Sequence, residues 1–417
     1  MFNIFSLSHL QHLFKLVWNR KRSNMLMVLE IFAAFLVLYC VTSAILHYVT
    51  NAQKPLGYSY KDVWNVSASR KETSPYTDKT SLFEAAQRLT NTLKQLPQVE
   101  SVSFITNTPF STSEWQTEIE RGGVTSRISL SKTTDELDKT LGIKLVQGRW
   151  FDATDDVANG TNATIKPGII NSVAATTFFG TENPVGKMLR EPGKYDDGTP
   201  RSGIRVVGVI EAYRKSGEFA VPGNVLFQRI SLRDTTADLP YHIIIKMRDG
   251  VHADFEEPLL KIMQQQASDW DFQITTLEQD HTQMQNIHYL FPLGIGLTVA
   301  AFLLITVVLG LIGVVWQSVT RRMRELGVRR AFGATQGDVI FFVLGEVFVL
   351  TTFSVILGLL VLAQFPIIVG FSIVSPQVYG LSMILSVGAM FVMTSLCALY
   401  PSRIAAVVQP SEALRYE

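Results

Sequence analysis

Residues 289–316 read YLFPLGIGLTVAAFLLITVVLGLIGVVW, without one charged side chain. As a helix, about 20 such residues are enough to cross the roughly 30 Å of hydrocarbon in a bilayer. A helix on the surface of a soluble domain keeps a polar face toward water, and this run has none. Three other blocks share its character. Residues 25–49 are apolar apart from Glu30, with His47 and Tyr48 at the far end; 339–369 carry only Glu346; 381–400 carry no charge. The reading is a membrane protein with four transmembrane α-helices, at about 25–49, 289–316, 339–369 and 381–400. The first is expected to be an uncleaved anchor. Its apolar run is longer than the roughly 7–15 residues of a signal-peptide core, and residues 1–24 precede it.

The rest of the composition narrows the field. The 417 residues are 47% hydrophobic and 18% charged, which excludes a disordered chain. Net charge is +1, from 37 Lys and Arg against 36 Asp and Glu, so no electrostatic footprint for nucleic acid exists. Cys40 and Cys397 both fall in apolar blocks, which leaves the segment between the first two spans without a disulfide.

Charge also orients the chain. The first 24 residues hold Lys15, Arg20, Lys21 and Arg22 and no acid, and the loop after the second span holds Arg321, Arg322, Arg324, Arg329 and Arg330 against Glu325 and Asp338. The loop at 370–380 has no charge, and the tail adds Arg403 and Arg415. Positive loops stay in the cytoplasm. Both termini are therefore expected inside and residues 50–288 outside, as a large α+β extracytoplasmic domain inserted between helices 1 and 2. Two of its stretches repeat a strand–helix–strand pattern. One runs through 63–66, a helix at 81–96 with Leu82, Ala86, Leu89, Leu93 and Leu96 on one face, and a strand at 99–105. The other runs through 242–247, a helix with Phe255, Leu259, Ile262 and Gln266, and a strand at 272–275. They suggest one split α/β lobe. Residues of about 106–239, with 204–210 as their clearest strand, read as an inserted β-rich lobe.

Catalytic patterns are missing or incomplete. No zinc-protease H-E-x-x-H and no nucleophile elbow occurs. Residues 178–188 read FFGTENPVGKM, which superficially resembles a phosphate loop, but five residues separate Gly180 from Gly186 and Met188 has no hydroxyl for Mg²⁺; a turn before a strand is the better reading. The pairs Asp155–Asp156 and Asp196–Asp197 lack the further ligands of a calcium loop and read as solvated loop charges. His281 and His288 alone do not make a metal site. No catalytic residue, cofactor site or metal site is expected.

The informative polar segment is 321–335, RRMRELGVRRAFGAT. A helix at about 319–332 places Val319, Met323 and Leu326 on a narrow apolar stripe, pairs Glu325 with Arg329 at i, i+4, and stops at Gly333. Such a short amphipathic helix suits a groove on a cytoplasmic partner. Glu30 and Glu346, the acids inside the spans, are functional suspects by default; a structural role, with Arg321, Arg322 or the N-terminal basic cluster as partners, is the preferred reading.

Here a family resemblance becomes visible. Residues 321–335 resemble the "RRxREIGIRRALGAT" segment of MacB/FtsX-type ABC transporter permeases, and 409–417, QPSEALRYE, resemble that family's "DPxEALRYE" C-terminus, with Gln409 in place of Asp. Gly148–Arg149–Trp150–Phe151, Ile169–Ile170–Asn171, Phe178–Phe179–Gly180, 184–187 and 206–209 occur in the order of its extracytoplasmic core domain. The resemblance implies one anchor, a MacB-like core domain (50–288) and an FtsX-like permease domain (289–417). It implies that Arg321, Arg322, Arg324, Glu325, Gly327, Arg329, Arg330 and Gly333 form a coupling helix in the groove of an ABC ATPase. It implies dimerisation, with itself or a paralogue, and a membrane-surface stripe of Leu10, Phe14 and Val17 in 1–24. The chain carries no Walker motif, so ATP is expected on a partner chain.

The implied work is mechanotransmission in the bacterial inner membrane, first for efflux of drugs, peptides or other molecules with a periplasmic adaptor and an outer-membrane channel. Lipoprotein release and control of a cell-wall hydrolase are alternatives. An ATPase-independent sensor or adaptor and an enzyme with its site in the outer domain are the readings from other classes.

Overall fold

The structure, a computed structural model, describes residues 21–71, 79–155, 165–193, 203–235, 238–368, 370 and 374–407. The stripe of Leu10, Phe14 and Val17, the C-terminal motif at 409–417 and the pair Asp196–Asp197 lie outside the described residues. The chain divides into two compact units: Asn51–Leu290, and Met1–Thr50 with Phe291–Glu417.

The larger unit opens with β1 (Val63–Arg70), α2 (Lys79–Gln95) and β2 (Val99–Ile105), α1 being the first helix, Lys21–Ala52. It closes with β10 (His242–Met247), α5 (Glu256–Gln266) and β11 (Trp270–Thr276). The strands run β11–β1–β10–β2, all antiparallel, with Asn65 opposite Ile244 on one side and Thr275 on the other. The two strand–helix–strand halves therefore interleave, and neither owns a sheet by itself. α2 and α5 cover one face, where Ala86, Leu89 and Leu93 meet Val66, Phe104, Ile243 and Leu259. On α5 the fully buried partner of Leu259 is Met263, while Ile262 and Gln266 are only half-buried. Phe255 lies in a 3₁₀ turn, Ala253–Phe255, so the helical phase begins at Glu256 and sets Met263, at i+4 from Leu259, toward the sheet.

Between these halves stand β3 (Gln116–Arg121), β4 (Val124–Thr133), α3 (Leu137–Leu141), β5 (Leu145–Gly148), β6 (Lys166–Asn171), α4 (Ser172–Phe179), β7 (Met188–Arg190), β8 (Gly203–Ile210) and β9 (Val225–Arg229). Neighbouring strands run β4–β3–β7–β8–β6–β9, and a parallel β4–β9 pairing returns to the start. That closes a six-stranded barrel among the described residues, with Ile128, Ile170, Leu189, Val206 and Leu226 in its core. Closure removes the open edges a small sheet would expose. Asn171 is the pin between α4 and β9: its amide oxygen accepts from Ala174 N at 3.0 Å and Val225 N at 3.1 Å, and its Nδ2 donates to Gly223 O at 2.8 Å. The stretch resembling a phosphate loop is the turn from α4 to β7, where Gly186 N donates to Val206 O at 2.7 Å and Lys187 pairs with Glu182 at 2.5 Å.

Asp155 is not a solvated loop charge. A 3₁₀ turn, Ala153–Asp155, tucks its side chain to 1% exposure beneath Arg149, whose Nη1 and Nη2 donate to its two oxygens at 2.5 and 2.7 Å. Burial pushes this carboxyl up, but the Arg149 fork and the Asp152 N–H outweigh it and hold the group below its ordinary range. A depressed folded pKa contributes stability above the unfolded pKa of about 3.9 and loses it as pH falls through the folded value. Asp155→Asn is expected to cost about 1.5 kcal/mol at pH 7, the low end for a hydrogen bond to a charged group because Arg149 is half-exposed. Urea unfolding against pH checks this: the wild-type advantage over Asp155→Asn should shrink progressively as pH falls below the ordinary carboxylate range, by the same linkage.

The smaller unit contains α7 (Phe291–Arg321), α8 (Met323–Ala331), α9 (Gln336–Leu362), the short α10 (Phe365–Ile368) and α11 (Pro376–Val407), joined by α1; α6 (Leu277–Gln285) belongs to the larger one. Among the described residues, four helical runs are long and apolar enough to cross a membrane. Their shared core holds Ile31, Phe35, Leu311, Val347, Leu350 and Met390. Ser354 Oγ donates to Val28 O at 3.1 Å, which joins α9 to α1. Outward, Phe291, Ile295, Phe302 and Leu309 of α7 are 65–68% exposed, a surface suited to lipid rather than water.

Candidate functional site

The Arg-rich segment does not form one helix with the span before it. The chain turns at Arg322 (φ −112°, ψ 11°), and α8 starts anew at Met323. This corner reverses the expected use of the apolar stripe. Val319 and Leu326 are buried in the core of the membrane unit and Met323 packs against it, so the stripe serves the chain's own fold. A narrow apolar stripe reads the same in sequence whether it fills a partner's groove or its own core.

Two side-chain fastenings and a helix stop define α8. At the corner, Arg322 Nη1 and Nη2 donate to the Glu346 carboxylate of α9 at 2.5 and 2.9 Å, with side-chain exposures of only 14% and 12%. In the last turn, Arg330 Nη1 donates to Ala406 O on α11 at 2.6 Å. At the end, Gly333 takes φ +96°, Gly333 N donates to Arg330 O, and Ala334 N donates to Arg329 O, a left-handed stop that a side chain would strain. Two residues later Thr335 and Asp338 form a reciprocal capping box that opens α9. The joint from α8 to α9 is thus two helix caps back to back.

The outward face is what remains. Arg321 and Arg324 are exposed and make no ion pair among the described residues. Glu325 and Arg329 form an exposed i, i+4 pair at 3.6 Å, and the Arg329 guanidinium lies 4.3 Å from the Phe342 ring centre. Val328 is 39% exposed and Phe332 89%. Gly327 is buried on the inner face. The structure therefore divides the predicted residues: Arg321, Arg324, Glu325 and Arg329 face outward, while Arg322, Gly327, Arg330 and Gly333 shape and fasten the helix. Sequence reasoning missed Phe332. An aromatic residue between two helix caps, in a segment otherwise basic, was the available signal.

Of the two acids in the spans, Glu346 has Arg322. Glu30 lies against α7 at Gly310, where a Cβ would come within 2.9 Å of its Oε1, and its Oε2 is buried without a hydrogen-bond partner. Gly294, Gly296 and Gly313 meet nothing within 4 Å. In the larger unit His281 faces Glu218 at 3.0 Å, and His288 is exposed.

This architecture is matched by known proteins. A family profile described as the MacB-like periplasmic core domain matches residues 26–257, and one described as FtsX-like permease C-terminal matches 297–410. The chain is 26% identical over 269 residues to the macrolide export ATP-binding/permease protein MacB of Bdellovibrio bacteriovorus, covering 60% of this chain and 38% of that protein. It is 24% identical over 287 residues to the uncharacterized ABC transporter permease YknZ of Bacillus subtilis, covering 66% of each. The matched stretch thus spans less than half of the MacB relative and just under two thirds of YknZ. The crystal structure of the periplasmic region of MacB from Actinobacillus actinomycetemcomitans aligns at 18% identity with a TM-score of 0.36, over 55% of this chain and 94% of that one. With one profile over more than half of the chain and the other over most of its C-terminal third, the chain belongs to the MacB/FtsX-type family of ABC transporter permeases: a multi-pass membrane protein with a large extracytoplasmic domain between its first two spans.

Proposed function

We propose that this chain is the non-catalytic permease subunit of a bacterial ABC system in the inner membrane, with both termini and α8 in the cytoplasm and residues 50–288 outside. A separate ATPase subunit binds ATP and seats against the outward face of α8. The permease works as a dimer, with a second copy or a paralogue. Closure of the ATPases on ATP shifts this two-state dimer, and α8 passes the displacement to the spans and the extracytoplasmic domain. The work done there is export of drugs, peptides or other molecules toward a periplasmic adaptor and an outer-membrane channel.

One observation carries this reading. α8 is fastened to α9 through Arg322 and to α11 through Arg330, yet Arg321, Arg324 and Phe332 on its outer face are exposed, with no side-chain hydrogen bond or ion pair among the described residues. A basic lipid anchor does not need the fastening; a rigid element that receives a partner's motion does. The test is affinity purification of the solubilised chain from its native host, wild type beside Arg321→Glu with Arg324→Glu. The wild type is expected to carry an ATPase. The charge-reversed chain should keep its thermal transition but retain at least ~10-fold less ATPase, the equivalent of about 1.4 kcal/mol. If neither form holds an ATPase, α8 is only a basic anchor and the proposal fails.

A further inference from the structure

We infer that the loop at 213–220 is a clasp, with Arg214 and Glu218 as its positioning residues. It locks the point where the chain comes into the large domain to the point where it leaves. The inference rests on the reading that motion of the spans is passed to this domain, and it says which residues make the two crossings move as one.

The first half of the clasp is Arg214, which is 4% exposed. Its Nη1 donates to Asn51 O at 2.8 Å and Lys54 O at 3.0 Å, and its Nη2 donates to Ala220 O at 2.6 Å and to Glu218 O. The backbone joins in: Arg214 N donates to Leu56 O at 3.0 Å, and Tyr58 Oη donates to Arg214 O at 3.1 Å. Asn51 returns a bond from Nδ2 to Phe219 O at 3.3 Å. Among the described residues no carboxylate is a hydrogen-bond partner of this guanidinium. It is spent on four carbonyls, two from the incoming chain and two from its own loop. Only a flat fork with several donors serves four acceptors at once, and lysine, with three donors on one point, does not reproduce it.

The second half is Glu218, four residues on. Its two oxygens each lie 3.0 Å from His281 Nε2, and Gln285 Nε2 donates to Oε2 at 3.1 Å. The His281 ring is held in place by stacking on Tyr60 at 4.5 Å and by Phe110 at 4.7 Å. Farther along, Tyr289 Oη donates to Ser216 O at 3.0 Å and its ring packs against Phe219 at 5.6 Å. His281 and Gln285 lie on α6, and Tyr289 lies in the π turn directly after it, Asn286–Leu290.

One loop thus ties residues 51–56 to residues 281–289. These are the first and last residues of the unit, and no strand pairing joins them. A pull on either end is shared through Arg214 and Glu218 before it reaches the sheet. The β1–β11 pairing joins the two ends only from Trp64 and Thr276 onward, so without the loop the stretches outside that pairing would share fewer contacts and more of a displacement would be absorbed locally.

The test uses the full chain with Cys40→Ser and Cys397→Ser, spin-labelled at the exposed positions Gln53→Cys and Gln283→Cys, in lipid nanodiscs. Pulsed electron spin resonance reads the width of the distance distribution between the labels. A narrow distribution is expected for the parent, at least twofold broader in Glu218→Ala and in Arg214→Lys. Circular dichroism should stay unchanged, and Glu218→Gln, which still accepts from His281, should lie close to the parent. Equal widths in Glu218→Ala and the parent would overturn the clasp. So would broadening that appears only together with loss of the dichroism signal. Because the measurement needs neither nucleotide nor ATPase, its failure is separate from a failure of the co-purification test above.

Discussion

Glu346→Leu is expected to destabilise the solubilised chain by about 3–5 kcal/mol, the cost of breaking a buried ion pair from one side. The Arg322 guanidinium, 14% exposed at its side chain and held at 2.5 and 2.9 Å by both oxygens of Glu346, would be left charged and without its acceptor. The double variant Arg322→Met with Glu346→Leu should recover most of the loss, since replacing both partners by apolar groups of similar volume removes the orphan charge. The cycle of two single variants and the double isolates the pair energy, read by thermal unfolding in one detergent. A double variant no more stable than Glu346→Leu would mean that the acid acts through some other contact. Function should separate from stability. The double variant folds but has lost the corner at Arg322, so α8 is fastened only through Arg330. It is expected to keep a bound ATPase while losing coupling.

How much of this was legible in the sequence depends on what each feature is made from. The four spans depend only on local composition, because hydrocarbon demands an uninterrupted apolar run whatever the neighbours are. The interleaved lobe was legible through the periodicity of 81–96, since Ala86, Leu89 and Leu93 face a sheet by spacing alone. Closure of the inserted barrel was not, because the β4–β9 pairing joins strands about a hundred residues apart with nothing local to mark it. The Arg-rich helix was legible as an element, but the division of its residues between an inner and an outer face was not. Five arginines look alike in sequence, and only the turn at Arg322 separates the one that holds Glu346 from those that face outward. Arg214 was invisible for a related reason. It sits in a loop without periodicity, and its acceptor Asn51 lies 163 residues away. Asp155 was misjudged because a pair of acids in a polar segment says nothing about a short helical turn folding one of them under Arg149.

Gly358→Ala is expected to disrupt the packing of α1 on α9 more than any other single methyl in the spans. A Cβ at position 358 would lie 2.3 Å from Cδ1 and 2.7 Å from Cε1 of Phe35. Those are atoms of a ring that is fully buried between the helices, not the end of a flexible chain, so the ring has no space into which it can swing. Overpacking of this kind costs typically about 1–3 kcal/mol and occasionally more. It also pushes apart two helices whose close approach depends on the small residue. Ser354, one turn away on the same face, would lose its 3.1 Å bond to Val28 O as α1 moves. The compensating change is on the other helix: Phe35→Leu removes the ring, and Gly358→Ala with Phe35→Leu should be more stable than Gly358→Ala alone. Phe35→Leu by itself should be less stable than wild type, because it leaves a void beside Gly358. Thermal unfolding of the four chains in the same detergent tests the argument. Additive losses in the double variant would show that Phe35 and Gly358 do not meet. By contrast, Gly313→Ala, where a Cβ meets nothing within 4 Å, should leave the isolated chain unchanged. That pair of results would place the tight contact of α1 at Gly358 and would mark Gly313 as open surface on α7.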